Sequence, residues 1–158
     1  MIVCCDALYL LKSLPDNYID LVLTDFPYNE VNRKSSGLRK LDKGSADVLD
    51  IDLEELCLEL IRVCKGSFYM FCGIEQASSI KKTFRENNLI TRLCIWQKNN
   101  PSVMNGDKVW LSGVETCIYA KKSKATFKEH CKNTVWRYPV VRNSAHPTPK
   151  PVKLFEYL

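Results

Sequence analysis

The chain has 158 residues, of which 46% are apolar and 26% charged, with a formal net charge of +5. These values describe one soluble domain with enough apolar material for a core. No apolar run approaches the roughly 20 residues of a membrane-spanning helix, so none is expected. The opening MIVCCDALYLL carries no basic leader and no small-residue cleavage site, so a cytoplasmic location is expected.

The eight cysteines contain no CxxC pair, and most stand inside apolar runs such as FYMFC and TRLCIW. Zinc sites use close-spaced pairs. The expectation is therefore reduced cysteines acting as small core residues, with no metal. The basic residues cluster: Arg33, Lys34, Arg39, Lys40 and Lys43 in one stretch, and Lys121, Lys122, Lys124, Lys128 and Lys132 in another. Such clusters suit a phosphate backbone, although charge alone also describes a solvated surface.

In chain order, residues 1–5 read as a short strand ending at Asp6, and 7–14 as a helix closed by Pro15. Residues 19–24 form a continuous apolar run suited to a strand buried on both faces. Residues 29–49 are polar, glycine-containing and basic, the composition of a loop. Asp52 can cap a helix over 53–65, with Glu55 as a capping-box partner and Gly66 as its stop. Strands are expected over 67–72, 91–97, 116–120 and 135–141, and an amphipathic helix over 75–87. Pro151 is placed at the first position of a last helix. Strands alternating with helices predict an α/β doubly wound sheet, and such sheets bind ligands beyond the carboxyl ends of their strands.

Two of those ends carry carboxylates: Asp6, and Asp25 in the run DLVLTDFPYNEV. After Asp25 comes a turn of Phe26, Pro27 and Tyr28. A carboxylate followed by a backbone carbonyl can accept both hydrogens of an aromatic amino group, while a nearby tyrosine offers a flat stacking face. An amine held this way points its nitrogen in one direction and can be methylated directly, the protein supplying position and electrostatics.

The stretch CCDALYLLKSLPDNYIDLVLTDFPYN resembles the opening of the beta class of amino-group DNA methyltransferases. In that class a strand, an Asp, a helix ending in Leu-Pro and an Asp-containing turn precede a strand ending in Asp-Pro-Pro-Tyr. HPTPKP, from His146 to Pro151, is similar to a late element of the same class, and CIWQKNNP and VETCIYAKK resemble segments between the two. The resemblance implies a Rossmann-like methyltransferase sheet with helices on both faces, and S-adenosyl-L-methionine as cofactor. Asp25 and the Phe26 carbonyl would receive the target amino group, with Pro27 shaping the turn. Tyr28 would stack on a base flipped out of double-stranded DNA. Asp6, His146, Pro147, Thr148 and Lys150 would line the cofactor pocket. Residues 99–142 would form the target-recognition region, and Lys98, Asn99, Asn100, Arg33 and Lys34 would contact DNA. An acidic residue at position 25 favours adenine N6 over cytosine N4.

Two departures bear on these expectations. Phe26 stands where the class usually has proline, which removes a ring that fixes φ. The class also carries a glycine-rich cofactor loop after the last helix, and the glycines at 37, 44, 66, 73, 106 and 113 form no such motif. Residues 1–158 are thus expected to be a partial catalytic domain, with two strands missing between 1–5 and 19–24. A second chain or further segment would supply the loop. The alternatives to an adenine-N6 enzyme are an N4-cytosine enzyme and a catalytically inactive DNA-binding remnant.

Overall fold

The computed structural model describes residues 2–28, 48–103, 106–128, 130–142 and 148–158. Helix α1 (Ala7–Ser13) begins on Asp6, whose side chain accepts a hydrogen bond from the Tyr9 amide at 2.8 Å. It leads to strand β1 (Ile19–Asp25). Helix α2 (Leu53–Val63) starts on Asp52, which accepts from the Glu54 and Glu55 amides. Its buried residues Leu56, Cys57, Leu60 and Val63 form one apolar stripe. Strand β2 (Cys64–Cys72), helix α3 (Ile74–Glu86) and strands β3 (Ile90–Lys98), β4 (Val114–Lys121) and β5 (Val135–Tyr138) follow, with helix α4 (Val152–Tyr157) last.

The strands form one mixed sheet in the order β1-β2-β4-β3-β5. β1 runs parallel to β2, and β3 parallel to β5, while β4 is antiparallel to both of its neighbours. Side chains alternate between two cores, as the pleat requires. Val22, Phe68, Met70, Ile118 and Ala120 pack with Leu11, Leu60, Ile80 and Phe84 from α1, α2 and α3. On the opposite face, Phe71, Trp96, Cys117, Tyr119 and Trp136 pack with Leu154 of α4. The Rossmann-like sheet with helices on both faces is therefore present.

Three local expectations are corrected. Residues 2–5 form no strand: they are exposed, Ile2 fully so, because a strand exists only by pairing and no described strand pairs with them. Beyond β1 the described sheet therefore has an open edge rather than an internal gap. Gly66 does not stop α2. The helix ends at Val63, and Gly66 lies within β2, where an added Cβ would come 1.9 Å from the Asp20 carbonyl oxygen. The two strands approach too closely there for a side chain. Pro151 is the residue before α4 rather than its first member, with an extended ψ of 127°.

Five of the eight cysteines are core residues, as expected. Cys57, Cys64, Cys72, Cys94 and Cys117 are buried and free, whereas Cys4, Cys5 and Cys131 are exposed. Burial pushes the Cys57 thiol up to about 12 and the Cys94 thiol up to about 11, which keeps both inert at neutral pH. Among the described residues, no helix is long and apolar enough to cross a membrane.

Candidate functional site

The site follows from strand register. Asp25 is the last residue of β1 and pairs with Phe71, which pairs with Cys117 of β4 and, through it, Cys94 of β3. Paired residues share a face. Two positions further towards the same rim, Glu115 pairs with Trp96, and Lys98 stands two positions beyond Trp96. Alternation thus puts Asp25, Glu115 and Lys98 on the α4 face of the sheet, at the rim where β1 and β3 end and antiparallel β4 begins. The segment leading into α4 adds Lys150.

These groups form a closed network. The Tyr28 hydroxyl donates to Asp25 Oδ1 at 2.8 Å, and Lys150 Nζ lies 2.7 Å from Asp25 Oδ2. Lys150 Nζ is also 3.0 Å from Glu115 Oε2, and Lys98 Nζ is 2.9 Å from Glu115 Oε1. The Tyr28 hydroxyl stands 3.4 Å from Glu115 Oε2. The Lys150 ammonium also sits over two aromatic rings, 5.2 Å from the centroid of Tyr28 and 5.5 Å from that of Phe71. Two carboxylates face two ammonium groups, so the cluster is neutral.

Burial sets the electrostatics. Only 8% of the Lys150 side chain and 14% of the Lys98 side chain are exposed, against 32% for Asp25. Burial opposes ionisation of Glu115, but the charges and hydrogen bonds of Lys150 and Lys98 outweigh it and hold the carboxyl below its usual value. Burial, followed by the charges of Asp25 and Glu115, drives the Tyr28 phenol far above its ordinary value. Tyr28 is therefore a hydrogen-bond donor at every physiological pH.

The turn itself is fastened from α3. Gln76 Nε2 donates to the Pro27 carbonyl at 3.0 Å, while Gln76 Oε1 accepts from the Gly73 amide at 2.9 Å. The Phe26 side chain is buried in the core beneath the turn. An aromatic at this position thus anchors the turn by packing, where a proline would fix it by its ring.

Of the residues expected at the cofactor, Asp6 is exposed and caps α1, and Thr148 is half-buried ahead of α4. Lys150 points at Asp25. Among the expected DNA contacts, Lys98 is turned inward onto Glu115. Asn99 and Asn100 tie β3 to the strand beyond it: the Asn99 amide donates to the Tyr138 carbonyl, and Asn100 Oδ1 accepts from the Val140 amide at 2.7 Å. Arg33, Lys34, His146 and Pro147 lie outside the described residues. Sequence reasoning missed Glu115 and Gln76. Glu115 could have been found from alternation, since it lies two residues before buried Cys117 on the face that carries Asp25.

The fold is the Rossmann-like one of methyltransferases of known structure. No family model matches the chain, and no curated protein matches it. Solved structures do. The M1.HpyAVI complex with S-adenosyl-L-methionine aligns at 21% identity over 94% of this chain and 66% of that one, with a TM-score of 0.62. PvuII DNA methyltransferase, described as cytosine-N4-specific, aligns at 16% identity over 97% and 66%, with a TM-score of 0.64. A Thermus thermophilus protein complexed with S-adenosyl-L-methionine aligns at 15% identity over 84% and 66%, with a TM-score of 0.52. The chain spans about two thirds of the length of these proteins.

Proposed function

We propose that this chain is the target-base portion of an S-adenosyl-L-methionine-dependent DNA amino-methyltransferase, with adenine N6 as its target. The observation that carries the reading is the Asp25–Tyr28 turn: a carboxylate at the carboxyl end of a parallel strand, held against a tyrosine whose ring stands beside it. The fold shared with PvuII DNA methyltransferase and with two structures that hold the cofactor supports it.

In this reading Asp25 accepts one hydrogen of the exocyclic amino group and the Phe26 carbonyl the other. The base stacks on Tyr28, and Gln76 keeps the turn from yielding as it does so. With a methyl donor bound in line, the new nitrogen–carbon bond would form as the methyl–sulfur bond breaks, sulfur leaving as the neutral thioether; positive charge would develop on the nitrogen beside the Asp25 carboxylate until its proton is lost to solvent. The cofactor, when bound, supplies that methyl on a sulfonium centre. The residues present suit it: the Asp6 carboxylate is an exposed acceptor for an adenine amino group or ribose hydroxyls, and Thr148 stands half-buried ahead of α4. His146 and Pro147 would complete that side. DNA would be met by Asn99, Asn100 and the rest of residues 99–142, with Arg33 and Lys34 on its phosphates. A second chain or further segment carrying a glycine-rich loop would close the cofactor pocket.

The likeness to PvuII DNA methyltransferase supports a second reading, in which the same turn receives cytosine N4. Both readings are tested together. S-adenosyl-L-methionine is titrated calorimetrically into the chain, and methyl transfer to duplex DNA is followed by nucleoside analysis. Binding near the micromolar range, about −8 kcal/mol, with N6-methyladenine as product, is expected. N4-methylcytosine would establish the second reading. No methylated base, with the segment carrying the glycine-rich loop supplied, would overturn both.

A further inference from the structure

The two features that would receive a base are already occupied by one side chain of the protein. Lys150 Nζ holds Asp25 Oδ2 at 2.7 Å and lies 5.2 Å from the Tyr28 ring centroid. With Tyr28 on Oδ1, both Asp25 oxygens are engaged. A neutral exocyclic amine makes a weaker hydrogen bond to a carboxylate than an ammonium does, because only the latter is assisted by charge. A base therefore enters only if Lys150 has another anion to hold it. Glu115 Oε2, 3.0 Å from the same ammonium, is that anion, and Lys98 fixes its other oxygen.

We propose that Lys150 occupies the target amino group's place on Asp25, and that Glu115 is the carboxylate onto which Lys150 withdraws when a base enters. The proposal rests on the base-site reading of Asp25 and Tyr28. It makes Lys150 and Glu115 positioning residues with a defined order of events. Without a base, Lys150 neutralises Asp25 and covers Tyr28, so the charged carboxylate is not left bare in a half-buried site. When a base enters, the ammonium moves wholly to Glu115. Asp25 then regains an uncompensated negative charge beside the nitrogen that becomes positive during methyl transfer, and the stacking face of Tyr28 is cleared. The exchange breaks and makes only hydrogen bonds and ion pairs, and the cluster keeps its net charge throughout.

The alternative is that Lys150 is a fixed tie between the α4 lead-in and the sheet. The two are separated by nucleoside binding to the whole chain, with deoxyadenosine and deoxycytidine as probes and the tyrosine ring signals in NMR spectra as readout. Lys150→Met removes the competitor and is expected to bind the preferred nucleoside about tenfold more tightly than the unmodified chain, the scale of one charge-assisted hydrogen bond. Glu115→Gln pins Lys150 on Asp25 and is expected to bind it about tenfold more weakly. The double variant is expected to recover the affinity of Lys150→Met, a rescue that a structural tie cannot produce. Lys150→Gln, which keeps length and a donor without the charge, serves if the methionine variant does not fold.

Equal affinity in all chains, weaker binding in both lysine variants, or a double variant no better than Glu115→Gln would overturn the proposal alone. Absence of binding in every chain, the lysine variants included, would overturn the base-site reading and the proposal with it.

Discussion

Lys150 and Asp25, 125 residues apart in sequence, meet at 2.7 Å at the carboxyl end of β1. Their contact joins the two segments that carry the methyltransferase resemblance, the strand-end turn and the stretch before α4. It brings together residues whose separate motifs give no hint of contact.

Glu115 makes that junction sensitive to acid. Its folded value lies below the ordinary 4.5 of a glutamate, so the ionised form is the one the fold favours. Its contribution is therefore fully present above about pH 4.5 and is lost as pH falls through the lower folded value. Thermal melting followed from pH 7 downwards should show stability falling below about pH 4.5, with a smaller fall in Glu115→Gln. Identical pH profiles for the two chains would remove Glu115 from the account.

The close approach of β1 and β2 gives a sharper test of the fold. At Gly66 a methyl group would press on the backbone carbonyl of Asp20, which cannot swing aside as a flexible side chain would. Gly66→Ala is expected to cost about 3 kcal/mol by chemical denaturation, the upper part of the usual range for overpacking. A loss within about 0.5 kcal/mol, the size of an ordinary surface change, would mean that the strands are not in this register.

Trp110 provides a probe of DNA contact. Of the three tryptophans, Trp96 and Trp136 are buried, whereas Trp110 is 98% exposed on the β3–β4 connection, which leaves the same rim as Asp25. Quenching of tryptophan fluorescence by acrylamide therefore reports mainly on Trp110. Saturating duplex DNA should shield it, and Trp110→Ala should weaken DNA binding. Unchanged quenching under saturation would place the DNA elsewhere.

The legible parts of the structure were those with local signals. Continuous apolar runs gave β1 and β2, and Asp52 marked the start of α2 before its apolar stripe. The errors share one cause: local chemistry does not reveal whether a neighbour exists. Residues 2–5 have strand composition but no described strand beside them. Gly66 follows a helix, where glycine commonly serves as a stop, but it is required instead by the Asp20 carbonyl of another strand. At the candidate site, Asp25 and Tyr28 were readable as candidates because they are close together in the chain. Gln76 and Glu115 were not, because their roles depend on the packing of α3 and the register of β4. Lys98, at a strand end, read as a DNA contact because sequence does not show which way a strand's last side chain turns; here it turns onto Glu115.

The central claim, that Asp25 receives the amino group to be methylated, is tested most directly by transfer of a labelled methyl group from S-adenosyl-L-methionine to duplex DNA. The unmodified chain is compared with Asp25→Asn, each supplemented with any partner needed for activity. The substitution keeps the size of the side chain and removes its charge. A fall of about 10²- to 10³-fold in rate is expected, the usual consequence of losing one preorganised electrostatic contact in a transition state, with S-adenosyl-L-methionine binding unchanged. Undiminished transfer by Asp25→Asn would contradict this role of Asp25.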